Sequence, residues 1–398
     1  MRQLPVRARH NFYKILIRLV NIPRPEKVSG AGSSAAAYKL LAENRIDKVL
    51  VVTDKGILKS RLADRMLAGF KTNSIDYHIY SGVKPDPSVT EIEEGFEIYE
   101  KKECRGVVAI GGGSPLDCAK VIAARAASEK TVQAMKGSFK IRGKPPFLMA
   151  VPTTAGTGTE ATIFAVITEQ EQRVKFTIID PKLVPDACIL DPELVLKLPP
   201  ELTAYTGMDA LTHAVEAYLS IIGTSYSDQK ALAALKLIFD NLEKSYRSGS
   251  DLPARKAMLD AAHYGGLAFS RAMIGYAHAI AHNLGAVYGI QHGLANAIAL
   301  PPVLEYSKQA CAAKMADLAV HGGLGTRAEK NSVLAEKLIA KIRQLNRALS
   351  IPPKLRALEK EDVPSLAEKV DQEANPAYPV PRLLWKKDLE KLLYELVE

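Results

Sequence analysis

Four of the chain's eight histidines fall, with a carboxylate, in two short stretches near residues 209–213 and 278–292. Asp209 and His213 are four residues apart, so on a helix both project from one face. His278 and His282 repeat that spacing, and His292 follows ten residues later between Gly289 and Gly293. A single histidine on an apolar helix is usually a satisfied core residue. Two i,i+4 pairs in Ala/Leu-rich surroundings are different, because burying so many imidazoles beside a carboxylate is costly without a cation or a dense hydrogen-bond network. Three imidazoles and one carboxylate form a donor set suited to Fe2+ or Zn2+ rather than to a thiolate metal. The spacing leaves His278 and His282 equivalent as donors.

A second chemistry is carried by Gly111-Gly112-Gly113-Ser114-Pro115, which follows an apolar run ending at Ile110. Glycines let the backbone turn sharply and approach a pyrophosphate, and the N–H groups of a following helix make an anion site. Proline suits the first turn of that helix. Gly30-Ala31-Gly32-Ser33-Ser34-Ala35 also fits a dinucleotide fingerprint, but Pro25–Ser29 before it makes a poor buried strand, so this loop is the weaker candidate. Asp54 closes the run Val49–Thr53, where an acid can accept from ribose hydroxyls and repel a 2′-phosphate; a helix-capping role weighs equally. Pro152–Glu160, with its threonines and glycines, could wrap a nucleotide or cap a helix.

Positioning these residues requires two kinds of scaffold. In the first half, β-branched runs at 48–53, 106–110 and 147–151 alternate with helical stretches, which predicts βαβ units and a parallel sheet. After Leu198-Pro199-Pro200 the texture turns to long Ala/Leu-rich helical patterns, such as 227–245 and 254–272, with almost no strand-like run. The expected organisation is an α/β dinucleotide-binding domain over residues 1–195 and an all-helical metal-binding domain over 196–398. Residues 1–24 read as a basic helical extension of the first.

Composition narrows the classes. At 398 residues, 47% hydrophobic and 24% charged, the chain is long enough for two ordinary domains and has no disordered signature. No apolar run approaches the roughly 18–20 residues of a membrane span. The four cysteines are scattered without CxxC spacing, as in a protein with reduced thiols, and a cytoplasmic location is the default expectation. The net charge of +9 is mostly dispersed, except that six arginines and lysines precede the first acid, Glu26. That segment reads as an ordered surface helix; a transit peptide or a basic arm for membrane or RNA would look similar. No nucleic-acid or membrane partner is expected.

Taken together, VTD at 52–54, GGGSPLDCAK at 111–120, PTTAGTGTE at 152–160, GMDALTHAVEAY at 207–218 and the histidine segment at 278–293 resemble the iron-containing (group III) alcohol dehydrogenases. The resemblance spans about residues 25–380. It implies a fold like that of dehydroquinate synthase, with the active site in a cleft between a nucleotide domain and a helical domain. It implies that Asp209, His213, His278 and His292 are the metal ligands, and that His282 is a neighbour that helps move protons. It assigns Gly112, Gly113, Ser114 and Asp117 to the dinucleotide loop. Thr153, Thr154, Thr157 and Lys175 become further cofactor contacts, Asp54 the residue favouring NAD over NADP, and Phe269 an aromatic of the substrate pocket. The expected reaction is metal-assisted hydride transfer between nicotinamide and a small alcohol or aldehyde, in a homo-oligomer, most simply a dimer. A zinc-dependent enzyme of the glycerol-dehydrogenase or dehydroquinate-synthase type is the nearer alternative, and a nucleic-acid-binding protein the remote one. Three positions depart from the common pattern: Gln291 where proline is frequent, Pro302 where histidine is, and Asp86 where asparagine is.

Overall fold

The computed structural model describes residues 3–170 and 174–398, which form two compact units. One takes Ile22–Leu198 together with Ser250–Leu259; the other takes the N-terminal helix, Pro199–Gly249 and Asp260–Glu398.

Among the described residues the first unit contains nine strands: Glu26–Ser29 (β1), Lys48–Val52 (β2), Asp76–Tyr80 (β3), Gly106–Gly111 (β4), Gly137–Ser138 (β5), Phe147–Pro152 (β6), Phe164–Glu169 (β7), Val174–Ile179 (β8) and Ala187–Leu190 (β9). Six form a wholly parallel sheet in the order β1-β9-β6-β4-β2-β3. Its central strands are the continuous apolar runs of the sequence, and β4 and β9 are buried along their whole length, as strands covered on both faces must be. Strand β1 sits at an edge, which is why exposed Glu26 and Lys27 are tolerated there. The segment before Gly30, a poor buried strand by its sequence, is this exposed edge strand. The loop after it is nonetheless occupied internally. Gly32 N–H, Ser34 N–H and the Ser34 hydroxyl all donate to the Asp191 carboxylate, at 3.0, 3.0 and 2.5 Å. A smaller sheet pairs β7 antiparallel to β8, with β5 alongside.

The second unit is helical. The helix Pro200–Leu219 begins with proline in its first turn and is buried over most of its surface, so its polar side chains, Asp209, His213 and Glu216 among them, are buried with it. Tyr276–Tyr288 ends at Gly289, whose φ of 66° supplies the left-handed residue that closes a helix. His292–His321 follows and tolerates Pro301 and Pro302 in its interior. Pro301 has no N–H for the carbonyl of Ala297 four residues back, and that carbonyl accepts from Asn346 Nδ2 at 2.7 Å instead.

Two assignments of the linear division change. The basic N-terminal segment, expected within residues 1–195, is the helix Gln3–Leu19 and belongs to the helical unit, where Arg7 donates to the carbonyls of Val380 (2.6 Å) and Pro381 (2.9 Å). Residues 250–259 belong to the α/β unit, where Arg255 donates to the Leu198 carbonyl at 3.2 Å. All four cysteines are buried, and none is in a disulfide.

Candidate active site

In the helical unit, Asp209 and His213 leave one face of Pro200–Leu219 and meet His278 and His292. Nε2 of His292 lies 3.4 Å, and Nε2 of His278 3.7 Å, from Asp209 Oδ1; Nδ1 of His213 lies 4.0 Å from Asp209 Oδ2. Asp209, His278 and His292 offer donor atoms all within 4.8 Å of one another, so this trio is compact enough to grip one ion, with His213 against it. The ring of His213 stacks on Phe269 (centroids 4.3 Å, 14°) and meets His278 at a tilt (4.4 Å, 31°).

Several partners that sequence reading missed hold these donors in place. Glu216 lies three residues beyond His213 and seven beyond Asp209, on the same helix face. Its carboxylate accepts from His278 Nδ1–H at 2.6 Å and from the N–H groups of Gly275 (2.7 Å) and Ala277 (2.8 Å). One side chain thus satisfies the first turn of the histidine helix and fixes the His278 tautomer, turning Nε2 toward Asp209. Gly275 is required for the approach: a Cβ there would lie 2.7 Å from Glu216 Oε1. Asn296, four residues after His292, donates to Asp209 Oδ1 at 2.8 Å and sits 3.2 Å from His292 Nε2. Gly293 lets the start of this helix touch the Tyr205 backbone, where a Cβ would meet a carbonyl oxygen at 2.1 Å.

The electrostatics match a cation site. Burial alone would raise the Asp209 carboxyl, but the three imidazoles hold it well below the usual range. Burial drives His213 down to about 3, so its ring is neutral with a lone pair available. For His278 burial is outweighed by the two neighbouring carboxylates, Asp209 and Glu216, which raise it to about 9. His278 Nε2 and His213 Nδ1 are buried without a hydrogen-bond partner. Two partnerless ring nitrogens facing a buried carboxylate are what a divalent ion would complete.

His282 is not in the compact trio. It stacks on His292 (5.2 Å, 14°) while its Nδ1–H donates to Glu373 at 2.7 Å. Glu373 also accepts from Tyr378 OH (2.7 Å) and Asn283 Nδ2 (2.8 Å), and burial's upward push on it is overcome by His282 and these donors.

In the α/β unit, Asp54 and the glycine loop stand at the carboxyl ends of adjacent strands β2 and β4. From β2 the chain proceeds to β3 on one side, and from β4 to β6 on the other. Such a switch point is where open parallel sheets bind nucleotides. Gly111 has φ 154° and a Cβ there would strike Pro115 at 2.6 Å; at Gly113 one would strike Thr157 at 2.9 Å. The helix Gly113–Ala126 starts with no side-chain cap, leaving its first amides to an anion. Ser114 Oγ accepts from Asp86 N–H at 3.2 Å, and Asp86 pairs with Lys175 at 2.7 Å, so the departure at position 86 is tied to both candidate cofactor residues. Thr154 and Thr157 flank the loop, and Thr153 is buried behind it, donating its N–H to Gly111 O. Asp117 turns inward, accepting from Thr159 Oγ1 at 2.5 Å and Val166 N–H at 3.0 Å, a brace under the loop. Beside it the buried Lys120 ammonium, lowered to about 8 by burial against the pull of Asp117 and Glu160, donates to Thr159, Thr162 and Phe164. Asp54 caps the short helix after β2, accepting from Ile57 N–H at 2.9 Å.

Comparison with known proteins identifies the family. Residues 25–192 match the family model for iron-containing alcohol dehydrogenase, and residues 203–397 match that for the C-terminal part of the Fe-containing alcohol dehydrogenase family. The chain is 38% identical over 387 residues to a 1,3-propanediol dehydrogenase of Citrobacter freundii, covering 96% of this chain and 98% of that one. It is 34% identical to an NAD-dependent methanol dehydrogenase of Bacillus methanolicus over 88% of this chain and 94% of that one. A crystal structure of a 1,3-propanediol oxidoreductase superposes with a TM-score of 0.92 at 35% identity, covering 95% of this chain and all of that one. The chain belongs to the iron-containing alcohol dehydrogenase family, and is an oxidoreductase of the alcohol dehydrogenase class.

Proposed function

We propose that this protein interconverts small primary alcohols and aldehydes, using a divalent iron held by Asp209, His213, His278 and His292, with zinc able to substitute, and NAD in preference to NADP. The observation that carries the reading is His278, whose Nδ1–H is fixed by Glu216 while its buried Nε2 faces Asp209 without a partner. A bound ion there supplies Lewis acidity to the substrate oxygen, and the nicotinamide supplies or accepts the hydride.

The chain's own residues do the rest. The amides opening Gly113–Ala126 bind the pyrophosphate, with Thr154, Thr157 and Lys175 around it. Asp54 accepts from the ribose hydroxyls and repels a 2′-phosphate, which favours NAD. Phe269, stacked on His213, gives the substrate an apolar wall beside the ligands. His282 has Nδ1 committed to Glu373, leaving Nε2 to take the hydroxyl proton toward solvent.

The test is to strip the protein with chelator, restore Fe2+ or Zn2+, and follow NADH and NADPH absorbance with short aldehydes while measuring metal binding by calorimetry. Stoichiometric binding, restored turnover and a preference for NADH support the proposal. Full activity in the stripped protein overturns it.

A further inference from the structure

The N-terminal helix Gln3–Leu19 has two working faces, and only one is used by the fold. Its inner face is anchored by Arg7 on the carbonyls of Val380 and Pro381 and by fully buried His10. Its outer face presents Leu4, Ala8, Phe12, Ile15 and Leu19 at successive spacings of four, four, three and four, so they form one continuous stripe. The large members are exposed at 79% (Leu4), 60% (Phe12), 60% (Ile15) and 77% (Leu19), and they lead the chain's exposed apolar side chains among the described residues. Helical geometry sets exposed Arg9 along one margin of the stripe and exposed Arg18 along the other. The family models begin at residue 25, so the dehydrogenase pattern does not itself call for this helix.

We infer that this face is a docking surface for an anionic lipid membrane, on which the helix lies parallel to the plane. The stripe is about 25 Å long at 1.5 Å per residue, enough to lie along the headgroup boundary with its apolar side chains below it. The arginines at its margins stand at headgroup height, where lipid phosphates complement them. No acid occurs before Glu26 to weaken that attraction. Pairing with a second copy fits less well. The stripe offers about two heptads, short of the three or four a coiled coil sustains, and both margins would bring like charges together. That no helix is long and apolar enough to cross a membrane concerns spanning, not lying on the surface. The inference therefore revises the sequence-based expectation of no membrane partner.

The experiment uses the full chain in sedimentation with vesicles of phosphatidylcholine containing phosphatidylglycerol, and with vesicles of phosphatidylcholine alone. The expected result is retention on the anionic vesicles that weakens as salt is raised. Phe12→Ser with Ile15→Ser should weaken it about a hundredfold, from lost apolar burial. Arg9→Gln with Arg18→Gln should weaken it roughly 25-fold, at about fivefold per cation. All four positions are exposed and outside the catalytic machinery, so unchanged dehydrogenase activity confirms folded variants. The inference is overturned by absence of retention on anionic vesicles, by retention that the Phe12/Ile15 variant leaves intact, or by concentration-dependent self-association that this variant abolishes without any lipid binding.

Discussion

The helical and α/β units build their sites from different materials. In the helical unit the chemistry is in side chains: a carboxylate and three imidazoles on three helices, each oriented by another side chain such as Glu216 or Asn296. In the α/β unit it lies mostly in backbone, namely the glycine turn after β4 and the uncapped amides that follow. A side-chain site should fail when a functional group is removed. A backbone site should fail when a Cβ is added.

The largest effect expected from that contrast is at Asp209. Asp209→Asn removes the buried charge that the imidazoles surround, and metal retention measured by elemental analysis should fall at least a thousandfold, with NADH binding by fluorescence unchanged. Loss of both would break the contrast. Next is Glu216→Gln, which keeps the shape but loses the acceptor for one of its three donors. Metal affinity should fall about 10- to 100-fold, the usual cost of losing a partner behind a ligand. The reciprocal experiment is Gly113→Ala. Its Cβ would crowd Thr157, so KM for NADH should rise roughly tenfold while metal content stays constant. Smaller again is Asp54→Ser, expected to narrow the NADH/NADPH preference about fivefold with stability nearly unchanged, since serine also caps helices. The smallest is Gln291→Pro. Position 291 already has φ −57°, which proline adopts without strain, so melting temperature should move by only a degree or two.

The same contrast explains what was legible in the sequence. Strands β2, β4 and β6 stood out because strands buried on both faces are unbroken apolar runs. Strand β1, with Glu26 and Lys27 exposed at the sheet edge, left no such trace, and the β7–β8 hairpin mixes Thr, Glu and Lys into its pattern. The metal-site candidates were visible because helical neighbours recur at fixed spacing. Glu216 was visible in principle, seven residues from Asp209. Glu373 was not, because its partner His282 is 91 residues away and such pairing has no period. Nor did the sequence show that Asp117 turns inward to brace the loop, since that depends on where β7 passes. The assignment of His278 rather than His282 as ligand came from family resemblance. In the structure His278 joins Asp209 and His292, while His282 pairs with Glu373.

Glu216 has one more consequence. Because the same carboxylate secures two backbone amides of a neighbouring helix and the ring of His278, the position of that ring is fixed by the fold itself. If an ion binds there as proposed, its loading would be an exchange on a built scaffold, unlike the zinc-driven folding of small metal domains. Under the proposed function, the occupant of a site braced this way would follow the relative supply of divalent metals and their intrinsic affinity order.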